Sequence, residues 1–457
     1  MKHFLILFFL SFAFNFVNGQ NNKPVKVELI YKNNSWQLIR DGKPYFIKGA
    51  GGSSYIDRLK NYGGNSIRTW SLDNAQEVLD EAQKNGITVM LGLWVQCERH
   101  GFDYDDEVAV KHQLEAFTES VKKFKDHPAL LLWGVGNEMD LQYNNPKVYD
   151  AVEDIIKMIH KLDPNHPTAT VTAGFHQAVM DEILKRVPDL DIYGVNTYGD
   201  LPSTPEKIEK SGWKGPFIVS EFGPTGQWEC PKTEWNQPIE ETSKEKAKVY
   251  MERYQKGILN HLDKCLGSYV FLWGFKQETT STWYGLFSKT GKESEVLDGM
   301  RYLWNGNWPA NRAPSLDSVL LDNKKPIQNI YLKYGDKYKA QVFATDPDHD
   351  KLKIEWSIYE ESTDRKTGGD VEADPTKING CIKKVSENEI LINPPRKEGG
   401  YRLFVEVYDD FNHVAYANIP FSVKPLDSTS KQAEKIKLKN YNFDSLNENN
   451  DVLKWGK

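Results

Sequence analysis

Apolar strands alternate with amphipathic helices between residues 46 and 305 of this 457-residue chain. The predicted strands are apolar on both faces, as expected for a parallel sheet covered by helices. They are 46–49, 65–70, 88–95, 130–137, 168–173, 192–197, 217–221 and 268–274. The predicted helices are 74–85, 107–126, 146–162, 177–187, 242–263 and 293–304. Eight such units in roughly 250 residues are typical of a TIM (β/α)8 barrel.

An open doubly wound sheet is the alternative fold for this α/β pattern. The chain lacks the Gly-x-Gly-x-x-Gly turn that usually follows the first strand of a dinucleotide-binding sheet. The barrel is therefore the preferred prediction.

Other segments flank the predicted barrel. Residues 25–50 alternate like a β-hairpin, which we assign with the barrel to a catalytic domain at 20–310. After a Pro-containing linker, short alternating strands predict a small immunoglobulin-like β-sandwich at 311–425. The polar residues 426–457 are interpreted as a linker or tail.

The first residues are typical of an export signal. Lys2 and His3 precede an apolar stretch at 4–16, and small residues at 17–19 suit cleavage before Gln20. We therefore predict a signal peptide at 1–19 and a periplasmic or extracellular protein. The apolar stretch is too short for a span of about 20 residues, so no membrane insertion is expected. A formal charge of −6 argues against a nucleic-acid partner, and a monomer is the working expectation.

Two glutamates come at the carboxyl ends of predicted strands. Gly136-Asn137-Glu138 closes the fourth strand, and Glu221 ends the seventh. Burying a carboxylate is costly unless a partner pairs with it or a reaction uses it. Because barrel active sites lie at the carboxyl ends of strands, both are expected to face one cleft. A retaining glycosidase needs such a pair, with Glu138 as acid and base and Glu221 as nucleophile; a rim ion pair is the structural alternative.

Three polar residues at strand ends are candidates to support this pair. Asn137 could donate to the 2-hydroxyl of a sugar. Arg68, near the end of the second strand, and Tyr198, after the sixth, could donate hydrogen bonds that hold Glu221 ionised. A rim salt bridge for Arg68 and core packing for Tyr198 are the alternatives.

Aromatic and histidine side chains at strand ends and in loops are candidates for sugar contacts. Aromatic faces suit the apolar C–H faces of pyranose rings. Trp273 is predicted to form the floor of the sugar site. Ordinary core packing is the alternative for the tryptophans, and a structural role at the rim is the alternative for the histidines. The further candidates are Trp94, Trp228, Trp283, His100 and His176.

No cofactor or catalytic metal is predicted. The four cysteines lack metal-ligand spacing, and free thiols are favoured over a Cys97–Cys230 disulfide. In the sandwich, Asp346, Asp348 and Asp350 alternate in one loop and could chelate calcium. The loop lacks the Gly and Glu offsets of an EF-hand, so a solvated turn is the preferred interpretation.

With these residues, the chain resembles the superfamily of retaining glycosidases whose acid/base follows Asn on the fourth strand and whose nucleophile ends the seventh. The matching residues are Asn137, Glu138 and Glu221, supported by Arg68, Tyr198 and Trp273. The barrel followed by an immunoglobulin-like sandwich resembles glycoside hydrolase family 158. That resemblance implies endo-β-1,3-glucanase activity on laminarin-like glucans, with a β-glucan polysaccharide as substrate. The sandwich itself is similar to Ig-like or cadherin-like modules of secreted enzymes.

Other functions fit parts of the same pattern. A transglycosylase, a β-1,4-glucanase or a mannanase could use the same two carboxylates. A non-catalytic glycan-binding protein could reuse the barrel, although binding alone does not need opposed carboxyl groups. The sequence does not distinguish endo from exo action.

Overall fold

The computed structural model describes residues 23–424. The predicted signal peptide at 1–19 and the tail at 426–457 lie outside the described residues, so export stays a prediction. Across residues 23–424, no helix has both the length and the apolar character needed to span a bilayer.

A closed barrel of eight parallel strands forms the centre of the molecule and confirms the predicted fold class. Neighbouring strands follow one another around the barrel in chain order, and the eighth pairs with the first. The strands are Ile47–Gly51, Ser66–Arg68, Thr88–Leu93, Leu130–Val135, Thr168–Ala173, Ile192–Asn196, Phe217–Phe222 and Cys265–Val270. Below they are called the first to the eighth barrel strand.

Helices cover the outside of the barrel because each has an apolar stripe. The helix Lys147–Leu162 buries Val148, Val152, Ile155 and Ile159, which lie three or four residues apart and so share one face. The α-helices are Ile56–Leu59, Ala75–Asn85, Glu107–Phe124, Lys147–Leu162, Gln177–Arg186, Thr204–Lys210, Ser243–Gly257 and Glu295–Asn305. Short 3-10 helices are Lys60–Tyr62, Glu98–His100, Leu201–Ser203, Leu259–His261 and Pro326–Gln328.

The predicted hairpin closes the amino end of the barrel. Its three antiparallel strands are Val27–Lys32, Ser35–Arg40 and Lys43–Pro44. Leu38 is buried in the same cluster as inward-facing barrel residues such as Leu132. The hairpin thus covers the amino end, and the strands terminate at their carboxyl ends on the opposite side of the barrel, where barrel active sites lie.

The second domain is a β-sandwich, as expected. One sheet contains Glu293–Ser294, Ile330–Lys333, Lys353–Glu360, Lys377–Ile378, Gly399–Tyr408 and His413–Lys424. The other contains Ser315–Leu321, Tyr338–Thr345, Ile382–Lys384 and Glu389–Ile392. Glu293–Ser294 belongs to the barrel half of the chain but pairs with His413–Lys424, so hydrogen bonding continues across the junction.

A buried ion pair lies at the junction of the two domains. The Lys246 ammonium lies 2.6 Å from the Glu240 carboxylate, and both side chains are buried. The hydroxyl of Thr282 donates to the same carboxylate at 2.8 Å, and the amide of Asn418 donates to it from the sandwich. Removing one member of such a pair leaves an uncompensated buried charge.

We therefore expect Glu240→Gln to lower the free energy of unfolding by about 3–5 kcal/mol, because Lys246 would stay buried without its counter-charge. Urea unfolding followed by tryptophan fluorescence measures this loss. The exposed pair Lys210–Glu206 supplies the control, and Glu206→Gln should leave the free energy of unfolding almost unchanged. Equal losses in the two variants would contradict the assignment.

Candidate active site

Glu221 lies in the seventh barrel strand, where it is 5% exposed. Its Oε1 accepts a hydrogen bond from Arg68 at 2.9 Å and one from the indole N–H of Trp70 at 2.7 Å. Its Oε2 accepts from the hydroxyl of Tyr198 at 3.1 Å. Three donors, one of them cationic, stabilise the ionised carboxylate and fix its orientation. These contacts agree with the proposed partners Arg68 and Tyr198.

Arg68 joins the two halves of the site. It is 1% exposed at the end of the second barrel strand. One terminal nitrogen donates to Glu221 and, at 2.8 Å, to the carbonyl of Ser220. The other donates to the side-chain oxygen of Asn137 at 2.6 Å. The planar guanidinium thus sets the position of Glu221 and of the residue before Glu138.

Glu138 follows the fourth barrel strand and is half-buried. Its backbone has φ of 50°, in the left-handed region, and its N–H donates to the carbonyl of Val171 at 2.9 Å. Backbone strain of this kind is common at functional sites. The side-chain amide of Asn196 donates to the Glu138 carboxyl at 2.9 Å.

The surroundings of Glu138 favour its protonated form. Burial first, and the negative charge of Glu221 second, raise the pKa of Glu138 to about 8. The hydrogen bond from Asn196 opposes this rise only in part. A protonated carboxyl next to a carboxylate held by a cation can perform acid catalysis and nucleophilic attack in one cleft.

Sequence reasoning missed two members of this network, Trp70 and Asn196. Asn196 donates to both Asn137 and Glu138 and accepts from Arg68 at 3.3 Å. A signal for Trp70 was present, because residues two apart along an extended segment point the same way and Trp70 follows Arg68 at that spacing. The same spacing relates Asn196 to Tyr198.

Trp273 does not form a sugar floor, and that prediction is wrong. The eighth strand ends at Val270, and Trp273 is 0% exposed in the main core. Its indole N–H donates to the carbonyl of Tyr55 at 3.1 Å. Phe271 instead packs against Trp70, which donates to Glu221, with ring centroids 5.8 Å apart.

Trp283 is also misassigned as a substrate contact. It is 2% exposed, and its indole N–H donates to the carbonyl of Thr225 at 3.0 Å. Its ring lies next to that of Tyr284, with centroids 6.4 Å apart, in a buried cluster that also contains Tyr198 and Phe271.

The other predicted contacts lie around the rim. Trp228 is 56% exposed and meets Tyr198 edge-on at 5.5 Å. Trp94 is half-buried and stacks on His100, with ring centroids 6.3 Å apart. His176 is exposed just before the helix Gln177–Arg186. Trp228 and Trp94 have surface available for a ligand. Within residues 23–424, His176 makes no hydrogen bond or ion pair with Glu138 or Glu221.

All four cysteines are free thiols, Cys97 and Cys230 among them. In the sandwich, carboxylate oxygens of Asp346, Asp348 and Asp350 lie within 4.8 Å of one another. Oδ1 of Asp346 also accepts the backbone N–H groups of Asp348 and Asp350, at 2.8 and 3.0 Å, which is the geometry of a turn. The cluster lies outside the network around Glu221.

The family of the chain follows from comparison with known proteins. Residues 55–285, half of the chain, match the family described as glycosyl hydrolases family 2, TIM barrel domain. The chain therefore belongs to this family, and the prediction of a glycoside hydrolase barrel is confirmed.

Similar proteins include β-glucuronidases. That of Canis lupus familiaris is 24% identical over 278 residues, which are 52% of this chain and 39% of that protein. The enzyme of Homo sapiens is 23% identical over the same coverage. The chain thus spans about two fifths of the length of these relatives. A β-D-glucuronidase structure from Dictyoglomus thermophilum has a TM-score of 0.50 at 19% identity, covering 62% of this chain and 54% of that one, and shows the same fold.

These findings overturn the narrower predictions. The family match and the β-glucuronidase relatives do not support glycoside hydrolase family 158 or an endo-β-1,3-glucanase acting on laminarin. Nor do they match a transglycosylase, a β-1,4-glucanase, a mannanase or a non-catalytic glycan-binding protein. The glucanase prediction rested on domain layout, and a barrel followed by a sandwich does not define the sugar subsites.

The raised pKa of Glu138 predicts a pH-dependent stability difference. The folded chain keeps this proton up to about pH 8, whereas an unfolded glutamate releases it near 4.5. Stability from the bound proton is complete below the lower value and is lost as pH rises to the upper one. We expect Glu138→Gln to become more stable relative to the parent chain across this window, by up to about 1.4 kcal/mol per pH unit. Urea unfolding at several pH values measures this difference in the free energy of unfolding. A difference that stays constant with pH would contradict the prediction.

Proposed function

We propose that this chain hydrolyses β-glycosides with net retention of anomeric configuration. The observation that carries the proposal is the pair Glu138 and Glu221, placed on one rim in opposite electrostatic surroundings. Membership of the glycosyl hydrolase family 2 barrel family supports it.

In the first step, a carboxylate oxygen of Glu221 attacks the anomeric carbon, and the bond from that carbon to the leaving oxygen breaks. The Glu138 carboxyl gives its proton to the leaving oxygen, so the aglycone departs as an alcohol. Arg68, Trp70 and Tyr198 orient the nucleophile for this attack.

In the second step, Glu138, now a carboxylate, takes a proton from water. The resulting oxygen attacks the anomeric carbon, the bond to Glu221 breaks, and both glutamates return to their starting states. Two inversions give a product with the configuration of the substrate.

Asn137 is proposed to bind the 2-hydroxyl of the sugar. Its side-chain oxygen already accepts from Arg68 at 2.6 Å and from Asn196 at 3.1 Å. The remaining hydrogen-bonding capacity of this side chain is its amide N–H pair, which can donate to a hydroxyl. Such a contact strengthens in the transition state.

A β-D-glucuronide is the first substrate that we propose. The support for this sugar is the set of similar proteins named β-glucuronidase, from dog, cat and human among others. The test is hydrolysis of a panel of 4-nitrophenyl β-glycosides, with the anomer of the first product identified by proton NMR. Initial release of the β-anomer supports retention, and initial release of the α-anomer would refute it.

The roles of the two glutamates predict different dependence on the leaving group. Glu138→Ala should lose about 10²–10⁴-fold in kcat/KM, which reports departure of the leaving group, with alkyl leaving groups that need protonation, and much less with 2,4-dinitrophenolate, which does not. Glu221→Ala should lose activity with both, because attack fails whatever the leaving group. Steady-state kinetics on the matched glycosides measures this difference. Equal losses in Glu138→Ala on both leaving groups would remove the acid role from Glu138.

A further inference from the structure

A segment of the sandwich domain reaches onto the catalytic rim of the barrel. Residues 361–376, called the sandwich segment below, connect the strands Lys353–Glu360 and Lys377–Ile378. They contact the loops that follow the third and the eighth barrel strands. Those two strands are separated around the barrel by the first and second, so the segment spans that part of the mouth.

On one side, the sandwich segment binds the loop after the third strand. Asp370 lies 3.1 Å from the ring nitrogen of His100 and 3.5 Å from the guanidinium of Arg99. Gly368 has φ of 64°, and a Cβ at this position would come within 2.5 Å of the same guanidinium. The backbone therefore packs directly against Arg99.

On the other side, the sandwich segment binds the loop after the eighth strand. The carbonyl of Gly369 accepts from the Lys276 ammonium at 2.5 Å. The Glu372 carboxylate, which is buried, accepts the backbone N–H of Thr279 at 2.6 Å. These two contacts hold the loop that carries Lys276.

Lys276 retains hydrogen-bonding capacity in this position. Its ammonium carries three N–H donors, and within residues 23–424 its polar partners are the Gly369 carbonyl and, at 2.8 Å, Glu278. The side chain is 21% exposed, and its nitrogen lies 5.8 Å from the ring centroid of Phe271. Phe271 packs against Trp70 and Tyr198, which both donate to Glu221. One N–H of this ammonium therefore remains beyond these two partners, next to the aromatic rings that contact Glu221.

Electrostatic coupling supports the nearness of this region to both catalytic carboxylates. The charges of Glu372 and Glu221 both contribute to the raised pKa of Glu278, after its burial. The charges of Glu138 and Asp370 both contribute to the raised pKa of the buried Cys97. Glu372 and Asp370 thus act on the same two side chains, Glu278 and Cys97, as Glu221 and Glu138 do.

We propose that Lys276 binds the carboxylate of a uronic acid in the cleft and that the sandwich segment positions it for that contact. The proposal rests on the glycosidase activity proposed above and deepens it by assigning selectivity for an anionic sugar. A charge-assisted hydrogen bond from an ammonium to a carboxylate distinguishes a uronide from the corresponding neutral sugar. The alternative is that Lys276 only ties two loops together through Glu278 and Gly369.

The experiment compares Lys276→Met with the full-length parent on 4-nitrophenyl β-D-glucuronide and 4-nitrophenyl β-D-glucoside. We expect the ratio of kcat/KM for glucuronide over glucoside to fall about 10- to 100-fold, because the ionic contact is lost. Lys276→Arg should restore part of the ratio. Lys289→Met is the matched control, since Lys289 also pairs with the sandwich segment, through Asp374, but is 68% exposed.

Positioning is tested by Asp370→Ala and Glu372→Ala, which loosen the sandwich segment without altering Lys276. For glucuronide, KM should rise more than kcat falls, and the sugar ratio should move in the direction seen for Lys276→Met. Unfolding temperatures of all variants identify any that fail to fold.

Each outcome has a distinct meaning. If Lys276→Met lowered kcat/KM equally on both sugars, Lys276 would only connect the two loops, and the inference would be overturned. A parent chain that cleaves the glucoside but not the glucuronide would also overturn it, while leaving the catalytic pair in place. A parent chain that cleaves neither these two sugars nor the rest of the glycoside panel would instead refute the proposed function.

Discussion

The site depends on one buried cation. Two carboxyl groups at the mouth of an apolar barrel would be costly without compensation, and the Arg68 guanidinium supplies it by binding Glu221, the Ser220 carbonyl and Asn137. Within residues 23–424, Glu138 receives a neutral amide N–H from Asn196 and has no cation in an ion pair. Glu221 is therefore paired with a cation, whereas the surroundings of Glu138 favour its protonated form. The surroundings of the two glutamates therefore depend on Arg68 of the second barrel strand and Asn196 of the sixth, as well as on the fourth and seventh strands.

Local pattern was sufficient to predict the barrel and the two glutamates. Apolar runs such as Leu130–Val135 and Phe217–Phe222 have no helical period, and a carboxylate at the end of each is conspicuous because burial is costly. Arg68 and Tyr198 followed from their places at strand ends. Parallel strands bring such positions to one rim whatever the sequence between them, so the convergence could be predicted without coordinates.

The rest depended on where strands end and on contacts distant in sequence. The predicted eighth strand continued to residue 274, whereas the observed strand stops at Val270, and Trp273 turns into the core. No local pattern states that Asp370 and Glu372 lie on the barrel rim, since their partners are more than 90 residues away. The predicted sugar preference was wrong for a related reason. Domain order can be read from the sequence, but the shape of a sugar subsite depends on contacts between residues that are distant in sequence.

The position of the sandwich segment affects how substrate specificity can change in proteins that combine this barrel with a sandwich. The family match covers residues 55–285, and the segment at 361–376 lies entirely outside it. Substitutions in that segment can reshape the mouth of the barrel while every residue used to recognise the family stays the same. Two chains with indistinguishable barrels could thus diverge in the sugars they accept through an appended domain, and a barrel separated from its sandwich would present a different mouth from the intact protein.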